Sequence, residues 1–375
     1  MLSGMSGRSV TIDFTDIDRG CAQILAFARQ IHIDAIVPVD EVTTSVAAAA
    51  ADRLNLRHNP PVSVMRAGNK LKLRECLRDA GVPTPKFIHV DKDADAAETA
   101  RSISFPCVLK PLTLSASRGV IRADGHNSFV VAFQRICDLL TSIGGETEES
   151  RTVLIEQYIP GREVALEGLV DQGTLQVLAL FDKPDPLEGP YFPETIYVTP
   201  SCEASDMQEK ITRTTQNAIS AMGLSDGPIH AELRLNETGP VIIEVAARSI
   251  GGLCSRILNF GAGVSLEELI LRHALSLPIE SLDRENQAAG VIMLPVPGET
   301  PGKLVAIKGI DAARSLPHIH DITLSVPIGE HIIPLPEGNR YLGFIFARAK
   351  TSRVVEQALR EAYDVLTFDI SREEI

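Results

Sequence analysis

The chain has 375 residues, of which 44% are hydrophobic and 23% are charged, a composition typical of a globular protein with two or three domains. Its formal net charge of −13 argues against nonspecific nucleic-acid binding, which needs a basic surface. No apolar run is long enough to cross a membrane, and the first residues lack a signal-peptide pattern. The six cysteines are scattered without a C-x-x-C pair, which favours reduced thiols in a cytoplasmic protein.

Residues 1–65 are predicted to form a truncated parallel α/β domain. The pattern indicates a helix over Cys21–Ile31, a strand over Ala35–Val39 and a helix over Thr43–Leu54. Ligands of open α/β sheets lie at the carboxyl ends of strands, which makes Asp40 and Glu41 candidate substrate contacts. The alternative is an acid that is merely favoured by the dipole of the following helix.

Two lysines lie at positions suited to a phosphate. Lys70 is in the first turn of a helix predicted over Asn69–Ala80, where a cation gains nothing from the helix dipole. Lys110 ends a short apolar strand predicted over Phe105–Pro111 and precedes a loop of small residues, whose backbone N–H groups suit phosphate oxygens. For both lysines the alternative is an exposed, solvated side chain.

The next part of the chain contributes two further acids. A strand predicted over Val153–Ile159 carries Glu156. The segment Gly189–Pro200 is rich in proline and aromatic residues, carries Glu194 and is predicted to be a lid or substrate loop. Other predicted elements are helices over Ser128–Leu140, 206–222 and Leu266–Leu277, and a hairpin of Val164–Val170 with Thr174–Leu180.

Residues 228–252 read as a strand, a tight turn and a second strand. Glu232 lies on the first strand, and Glu244 lies within an apolar run on the second. Two carboxylates brought together by a hairpin raise each other's pKa, and a divalent cation relieves that repulsion. Arg248, just past the second strand, adds a fixed positive charge. The set suits a magnesium–phosphate site; the alternative is a surface hairpin with solvated charges.

From residue 286 the pattern changes to strands separated by proline and glycine. A strand over Leu342–Ala349 and a helix over Ser352–Leu366 close a small α+β domain of residues 286–375. His318 and His320 alternate on one strand face, and we do not predict a metal site there.

Taken in order, these pieces resemble the ATP-grasp superfamily of carboxylate–amine ligases over most of residues 35–375. The resemblance rests on Asn-Lys at 69–70, Val-Leu-Lys-Pro at 108–111, the following Ser-Arg-Gly loop, Glu-Gln-Tyr-Ile-Pro-Gly-Arg-Glu at 156–163, and Glu232, Glu244 and Arg248. It implies an α/β (α+β) ATP-grasp fold, with two subdomains of residues 66–285 clamping ATP.

The resemblance also implies roles for individual residues. Lys70 and Lys110 would bind ATP phosphates, and Glu163 would hold the ribose hydroxyls. Glu232 and Glu244 would bind Mg²⁺ or Mn²⁺. The loop expected to close over the phosphates contributes Ser115, Ser117, Arg118 and Gly119, and the adenine would be held by Glu156, Tyr158 and Ile159.

One difference from the usual superfamily pattern makes the chain similar to a particular branch of it. Most members carry Asn two residues after the second metal glutamate, and here Ala246 removes that oxygen ligand. The Glu-x-Ala-Ala-Arg pattern is similar to the L-amino-acid ligase branch, which makes dipeptides. By that resemblance Glu41, Glu194 and Lys183 are on the substrate side. Arg248, with Lys110, would be catalytic.

The sequence therefore predicts an ATP-dependent carbon–nitrogen ligase that forms an amide bond through an acyl phosphate. The expected partners are ATP and small carboxylate and amine substrates, amino acids above all, with no nucleic acid and no membrane; a homodimer is left open. One alternative is another ATP-grasp chemistry, such as a biotin-carboxylase-like or purine-pathway ligase. The other is a non-catalytic ATP-binding module of a biosynthetic assembly.

Overall fold

The computed structural model describes residues 9–145 and 147–371. Its helices are α1 (Ile17–Ala28), α2 (Glu41–Arg53), α3 (Pro61–Ala67), α4 (Lys70–Asp79), α5 (Ala96–Ala100), α6 (His126–Ile143), α7 (Glu148–Arg151), α8 (Ser205–Met222), α9 (Leu266–Ala274), α10 (Ile310–Arg314) and α11 (Ser352–Asp364). The first nine strands are β1 (Phe87–Asp91), β2 (Cys107–Pro111), β3 (Ile121–Ala123), β4 (Thr152–Gln157), β5 (Arg162–Asp171), β6 (Thr174–Lys183), β7 (Ile196–Thr199), β8 (Asp226–Asn236) and β9 (Gly239–Ala246). The others are β10 (Asn259–Phe260), β11 (Val264–Ser265), β12 (Ala288–Pro295), β13 (Gly302–Lys308), β14 (Ile319–Leu324), β15 (His331–Ile332), β16 (Tyr341–Ala349) and β17 (Thr367–Ser371).

Helix α4 shows how local sequence sets an element that positions the site. The Asn69 side chain caps the helix by accepting hydrogen bonds from the backbone N–H groups of Leu71 and Lys72. Leu73 and Leu77, four residues apart, are fully buried on one face of the helix. The cap fixes the start of the helix, and with it the place of Lys70 in the first turn.

A four-stranded antiparallel sheet, called the lid sheet below, forms a small subdomain that is separate from the loop of residues 189–200. Its strand order is β1-β4-β2-β3. Phe129, Phe133 and Ile136 recur at helical spacing on α6 and bury one face of this sheet. Strands β2 and β4 are neighbours, and their register places Lys110 close to Glu156.

An eight-stranded antiparallel sheet in the order β14-β16-β12-β7-β6-β5-β8-β9 forms the centre of the molecule. One face of its β5-β8-β9 part packs on α3, α4 and α8 through a cluster that includes Leu166, Ile219 and Leu233, all fully buried. Because β7 pairs with β12, this single sheet continues across residues 285 and 286, where the sequence predicts a domain boundary. The separate three-stranded sheet β15-β13-β17 lies in the carboxy-terminal region.

The amino-terminal region differs from the prediction in one respect. The helices predicted near residues 21–31 and 43–54 are present as α1 and α2, but Ala35–Val39 pairs with no strand in the part of the chain that the structure describes. The prediction of a strand there is wrong. The segment does reach the core, because Val37 packs on a cluster of the central sheet. Its apolar residues therefore reflect packing against this cluster and not hydrogen-bonded pairing with a neighbouring strand.

None of the helices in residues 9–145 and 147–371 is both long enough and apolar enough to span a lipid bilayer.

Candidate active site

A cavity of about 500 Å³ lies between the lid sheet, the central sheet and the carboxy-terminal region. It is lined by most of the site residues predicted from the sequence. They are Glu41, Lys70, Lys110, Ser115, Ser117, Glu156, Tyr158, Ile159, Glu163, Glu194, Glu232, Glu244 and Arg248. A concave site of this size with several converging charges has the character of a ligand-binding cavity.

The β8–β9 hairpin brings its two acids together as expected. Glu232 and Glu244 are direct cross-strand partners, with an irregularity in the ladder just after them. Glu244 lines the cavity and, among the residues that the structure describes, accepts no hydrogen bond and forms no ion pair. Its carboxylate is therefore free to bind a cation. Ala246 is buried and offers no oxygen from its side chain.

Lys183 lies at the centre of a buried group of acids. Its Nζ forms ion pairs with Glu163, with Glu194 Oε2 at 2.7 Å and with Glu232 Oε1 at 3.3 Å. Burial and the Glu232 carboxylate raise the pKa of Glu194 to about 7, although Lys183 opposes them. Burial would also raise the pKa of Glu232, but Lys183 and His230 outweigh it and hold that pKa below its usual range. Lys183 thus contacts three carboxylates, and His230 adds a second positive charge beside Glu232.

Glu163 is predicted to hold ribose hydroxyls, yet here its two oxygens already have cationic partners. Lys183 binds one oxygen, and Arg234 Nε lies 2.7 Å from the other. Each partner is on a strand next to β5, because Glu163 is in register with both Lys183 and Arg234. Hydroxyls would have to share these oxygens, which retain lone pairs for further hydrogen bonds.

Lys110 and Glu156 form a second buried charge group. Lys110 Nζ lies 2.8 Å from Glu156 Oε2, and Arg74 Nε lies 2.6 Å from Glu156 Oε1. Burial would raise the pKa of Glu156, but Arg74 and Lys110 overcome it and lower that pKa to about 2. Glu156 therefore stays ionised and holds Lys110 at the cavity. An adenine amino group would have to share this carboxylate with two cations.

We expect Glu156→Gln to lower the free energy of unfolding at neutral pH. We also expect the free energy of unfolding of the variant to fall less than that of the parent when the pH is lowered. Because the folded pKa of Glu156 is below its ordinary value of 4.5, its contribution is present above pH 4.5 and is lost as the pH falls towards about 2. The loss at pH 7 should be on the order of 3 kcal/mol and should shrink with acidification. Urea unfolding between pH 7 and pH 3 measures it. Glu209→Gln, on the exposed surface of α8, is the control; equal pH dependence in both variants would contradict the prediction.

The predicted phosphate loop is only partly at the cavity. Ser115 and Ser117 line it, and Lys70 Nζ donates to the Leu114 carbonyl at 2.7 Å. Arg118 and Gly119 do not line it. The Arg118 Nε donates to the Glu337 carbonyl and the Gly119 N–H donates to the Pro336 carbonyl, both at 2.7 Å. These two residues fasten the loop to the carboxy-terminal region, which the local sequence could not indicate.

Glu41 and Arg248 form an ion pair at the amino-terminal end of α2. Arg248 Nε lies 3.0 Å from Glu41 Oε2, and Arg248 Nη1 donates to the Ser249 carbonyl at 2.9 Å. Burial raises the pKa of Glu41 despite Arg248, and the nearby Glu244 carboxylate raises it further. Both predicted residues therefore lie at the same end of the cavity as the Glu244 carboxylate.

Three buried residues beside the site have no role predicted from the sequence. Arg74 is fully buried and anchors Glu156, and its Nη2 donates to the Ile243 carbonyl at 2.6 Å. Glu167 is fully buried, accepts from the Ile250 N–H at 3.1 Å and lies 3.1 Å from His230 Nδ1. Burial would lower the pKa of His230, but Glu167 and Glu232 raise it to about 9. For His230 alone the sequence offers a signal, because His230 and Glu232 are two residues apart and lie on the same strand face.

Comparison with known proteins agrees with this geometry. Residues 103–257 match the family described as ATP-grasp domain, and residues 295–371 match the L-amino acid ligase C-terminal domain 2. The crystal structure of an L-amino acid ligase from Bacillus licheniformis superposes with a TM-score of 0.79 at 26% identity, covering 97% of this chain and 87% of that one.

Two curated relatives are ligases. The alanine–anticapsin ligase of Bacillus subtilis (strain 168) is 28% identical over 265 residues, which cover 66% of this chain and 55% of that protein. Dapdiamide A synthase of Enterobacter agglomerans is 26% identical over 238 residues, which cover 63% and 55%. The match thus spans about half the length of these two enzymes. The chain therefore contains an ATP-grasp domain over residues 103–257 and an L-amino acid ligase carboxy-terminal domain over residues 295–371.

Proposed function

We propose that this protein is an ADP-forming ligase that joins the carboxylate of one amino acid to the amine of another. The observation that carries the proposal is the convergence of Lys110, Glu244 and Arg248 on one cavity. Two fixed cations and a free carboxylate are what phosphoryl transfer from a nucleotide requires, because the catalytic need is to position and neutralise the phosphate charge. The relatives named as ligases support the same chemistry.

The reaction has two balanced steps. An oxygen of the substrate carboxylate attacks the γ-phosphorus of ATP, ADP leaves with the electron pair of the broken P–O bond, and an acyl phosphate forms. The neutral amine nitrogen then attacks the acyl carbon. The new C–N bond replaces the C–O bond, inorganic phosphate leaves, and the amine proton passes to solvent. In this proposal Arg248 would bind the oxygens that carry the developing charge, because a guanidinium offers several hydrogen-bond donors.

The donor set fits a divalent cation of the Mg²⁺ type, which takes one or two carboxylates together with phosphate oxygens. Glu244 forms no ion pair with any residue that the structure describes, and Glu232 is its cross-strand partner, so these two residues would hold the ion. Bound there, the ion would supply charge neutralisation for the phosphate oxygens. Lys70 and Lys110 would bind the phosphates from the lid side, while Tyr158 and Ile159 lie at the part of the cavity proposed for the adenine.

The acids on the substrate side suit the α-ammonium group of an amino acid. Glu194 and Glu41 both line the cavity, and the Glu194 backbone N–H is held by the Tyr341 hydroxyl at 2.8 Å. The tyrosine comes from β16, so the carboxy-terminal domain helps to position this acid. A carboxylase or a purine-pathway ligase is not favoured, because residues 295–371 match an L-amino acid ligase domain. A cytoplasmic location and a homodimer stay predictions.

The test is a panel of amino-acid pairs incubated with ATP and Mg²⁺, scored for phosphate release and, by mass spectrometry, for dipeptides. We expect phosphate and dipeptide in equal amounts for a subset of pairs. Phosphate release that depends on bicarbonate alone would favour a carboxylase. Nucleotide binding without turnover for any pair would favour a non-catalytic module.

A further inference from the structure

A second cavity, of about 250 Å³, lies against the first one. Its walls come from the loop before β7, the segment after β12 and the loop before β16. Most of the lining is apolar and includes Tyr191, Val296, Ile333 and Leu335. Ile333 has 40% of its surface exposed, although neighbouring residues of the same loop are buried. The apolar lining suits an aliphatic or aromatic group.

The two cavities share part of their walls. Ala116, Asn339, Arg340 and Tyr341 line both of them. Ala116 lies between the two serines of the loop beside the proposed phosphate site. A volume of about 250 Å³ is smaller than the roughly 300–1,000 Å³ of a complete ligand site, so it suits one part of a ligand whose reacting end lies in the larger cavity.

Arg340 indicates which substrate this would be. In a ligation of two amino acids, the one that supplies the carboxylate keeps a free ammonium group, and the one that supplies the amine keeps a free carboxylate. Glu41 and Glu194 suit the ammonium group, whereas the Arg340 guanidinium suits the carboxylate. Arg340 is 49% exposed, and its ion pair with Glu330 is long, at 3.7 Å, so the guanidinium retains donors for a ligand.

We propose that the second cavity is the side-chain subsite for the amine-supplying amino acid, whose free carboxylate binds Arg340. The inference rests on the proposed ligase function and names the chemistry of its second substrate: an L-amino acid with a medium or large apolar side chain. Its α-amine would then face the larger cavity, beside the loop of Ser115 and Ser117, where the acyl phosphate would form.

The test uses two variants of the full chain and one control. Val296→Phe fills the second cavity and should lower the ratio of kcat/KM for L-leucine to kcat/KM for glycine about tenfold or more, the usual effect of a steric mismatch in an apolar pocket. Arg340→Gln should raise the KM for L-leucine about tenfold, with a smaller effect on L-leucinamide, which lacks the carboxylate. Glu330→Gln removes the long ion pair but keeps Arg340, and its KM for L-leucine should not rise.

A second measurement separates this inference from the proposed function. Calorimetry measures L-leucine binding to the parent and to the Val296→Phe variant, in the presence of a non-hydrolysable ATP analogue and Mg²⁺. Weaker binding by the variant supports the subsite even if no amino-acid pair is ligated, in which case only the ligase assignment fails. Ligation by the parent with equal leucine-to-glycine ratios in parent and variant would overturn the subsite and leave the ligase intact. Equal leucine affinity, or no leucine binding by the parent, would overturn it as well.

Discussion

Glu244→Gln should reduce Mg²⁺-dependent ATP turnover by roughly 10²–10³, the usual loss when one electrostatic contribution to a transition state is removed. The fold should persist, because the Glu244 carboxylate faces the cavity and, in the part of the chain that the structure describes, forms no ion pair. A neutral amide keeps the shape of the side chain but is a weaker ligand for a hard divalent cation. Phosphate release measured against Mg²⁺ concentration should show lower turnover and a higher half-saturating concentration.

Glu237→Gln is the matched control. Glu237 lies at the exposed turn of the same hairpin, so the variant changes the same charge without touching the cavity. It should keep the turnover and Mg²⁺ dependence of the parent. If Glu244→Gln behaved like this control, Glu244 would not be a metal ligand, and the cation would have to be held by other acids.

Lys183→Met should destabilise the protein by about 3–5 kcal/mol, the usual cost of removing one partner from a buried ion pair. The side chain of Lys183 is only 2% exposed, and a single atom from each of Glu163, Glu194 and Glu232 lies within 4.8 Å of the others. Without the lysine, like charges would face each other in a site poorly reached by water. Urea unfolding should show the loss, and it should be larger at pH 8 than at pH 6, because protonating these acids relieves the repulsion.

Lys210→Met provides the comparison. Lys210 is on the surface of α8 and pairs with Asp206 at 3.0 Å, an exposed contact worth about 0–1 kcal/mol. A similar small loss for both variants would mean that Lys183 is not needed to compensate the three acids. Restored stability of Lys183→Met with added MgCl₂ would show instead that a divalent ion can take over the position of the ammonium group.

The parts of the site set by local pattern were predictable. The alternation of side chains and the tight turn predict the β8–β9 hairpin, and the structure pairs Glu232 with Glu244 across it. Asn69 at the start of an amphipathic stretch predicts α4 and so the place of Lys70. In these cases the residues concerned are close to each other in sequence, and the periodicity of the helix or strand determines which side chains share a face.

The parts set by contacts between distant segments were not predictable. Only the resemblance points to Lys183, and only the packing of β5, β6 and β8 brings it into contact with three acids. Arg74 reads as an ordinary helix residue, because nothing in α4 reveals that Glu156 lies opposite it. The strand predicted at Ala35–Val39 failed for a related reason: an apolar run shows that a segment is buried, but not whether a neighbour offers it a free edge.

The pairing of β7 with β12 affects how the chain can be made. The ribosome completes β5 to β9 before it reaches Ala288–Pro295, so the outer edge of β7 keeps unpaired N–H and C=O groups until late in synthesis. Open strand edges template pairing with other chains, and incomplete folds with exposed apolar surface aggregate. A product that stops near residue 285 would retain every residue proposed to contact ATP and still present that edge. Shortened versions of the chain, and chimaeras with related ligases, therefore need to carry β12 and β16 along with the ATP-grasp residues.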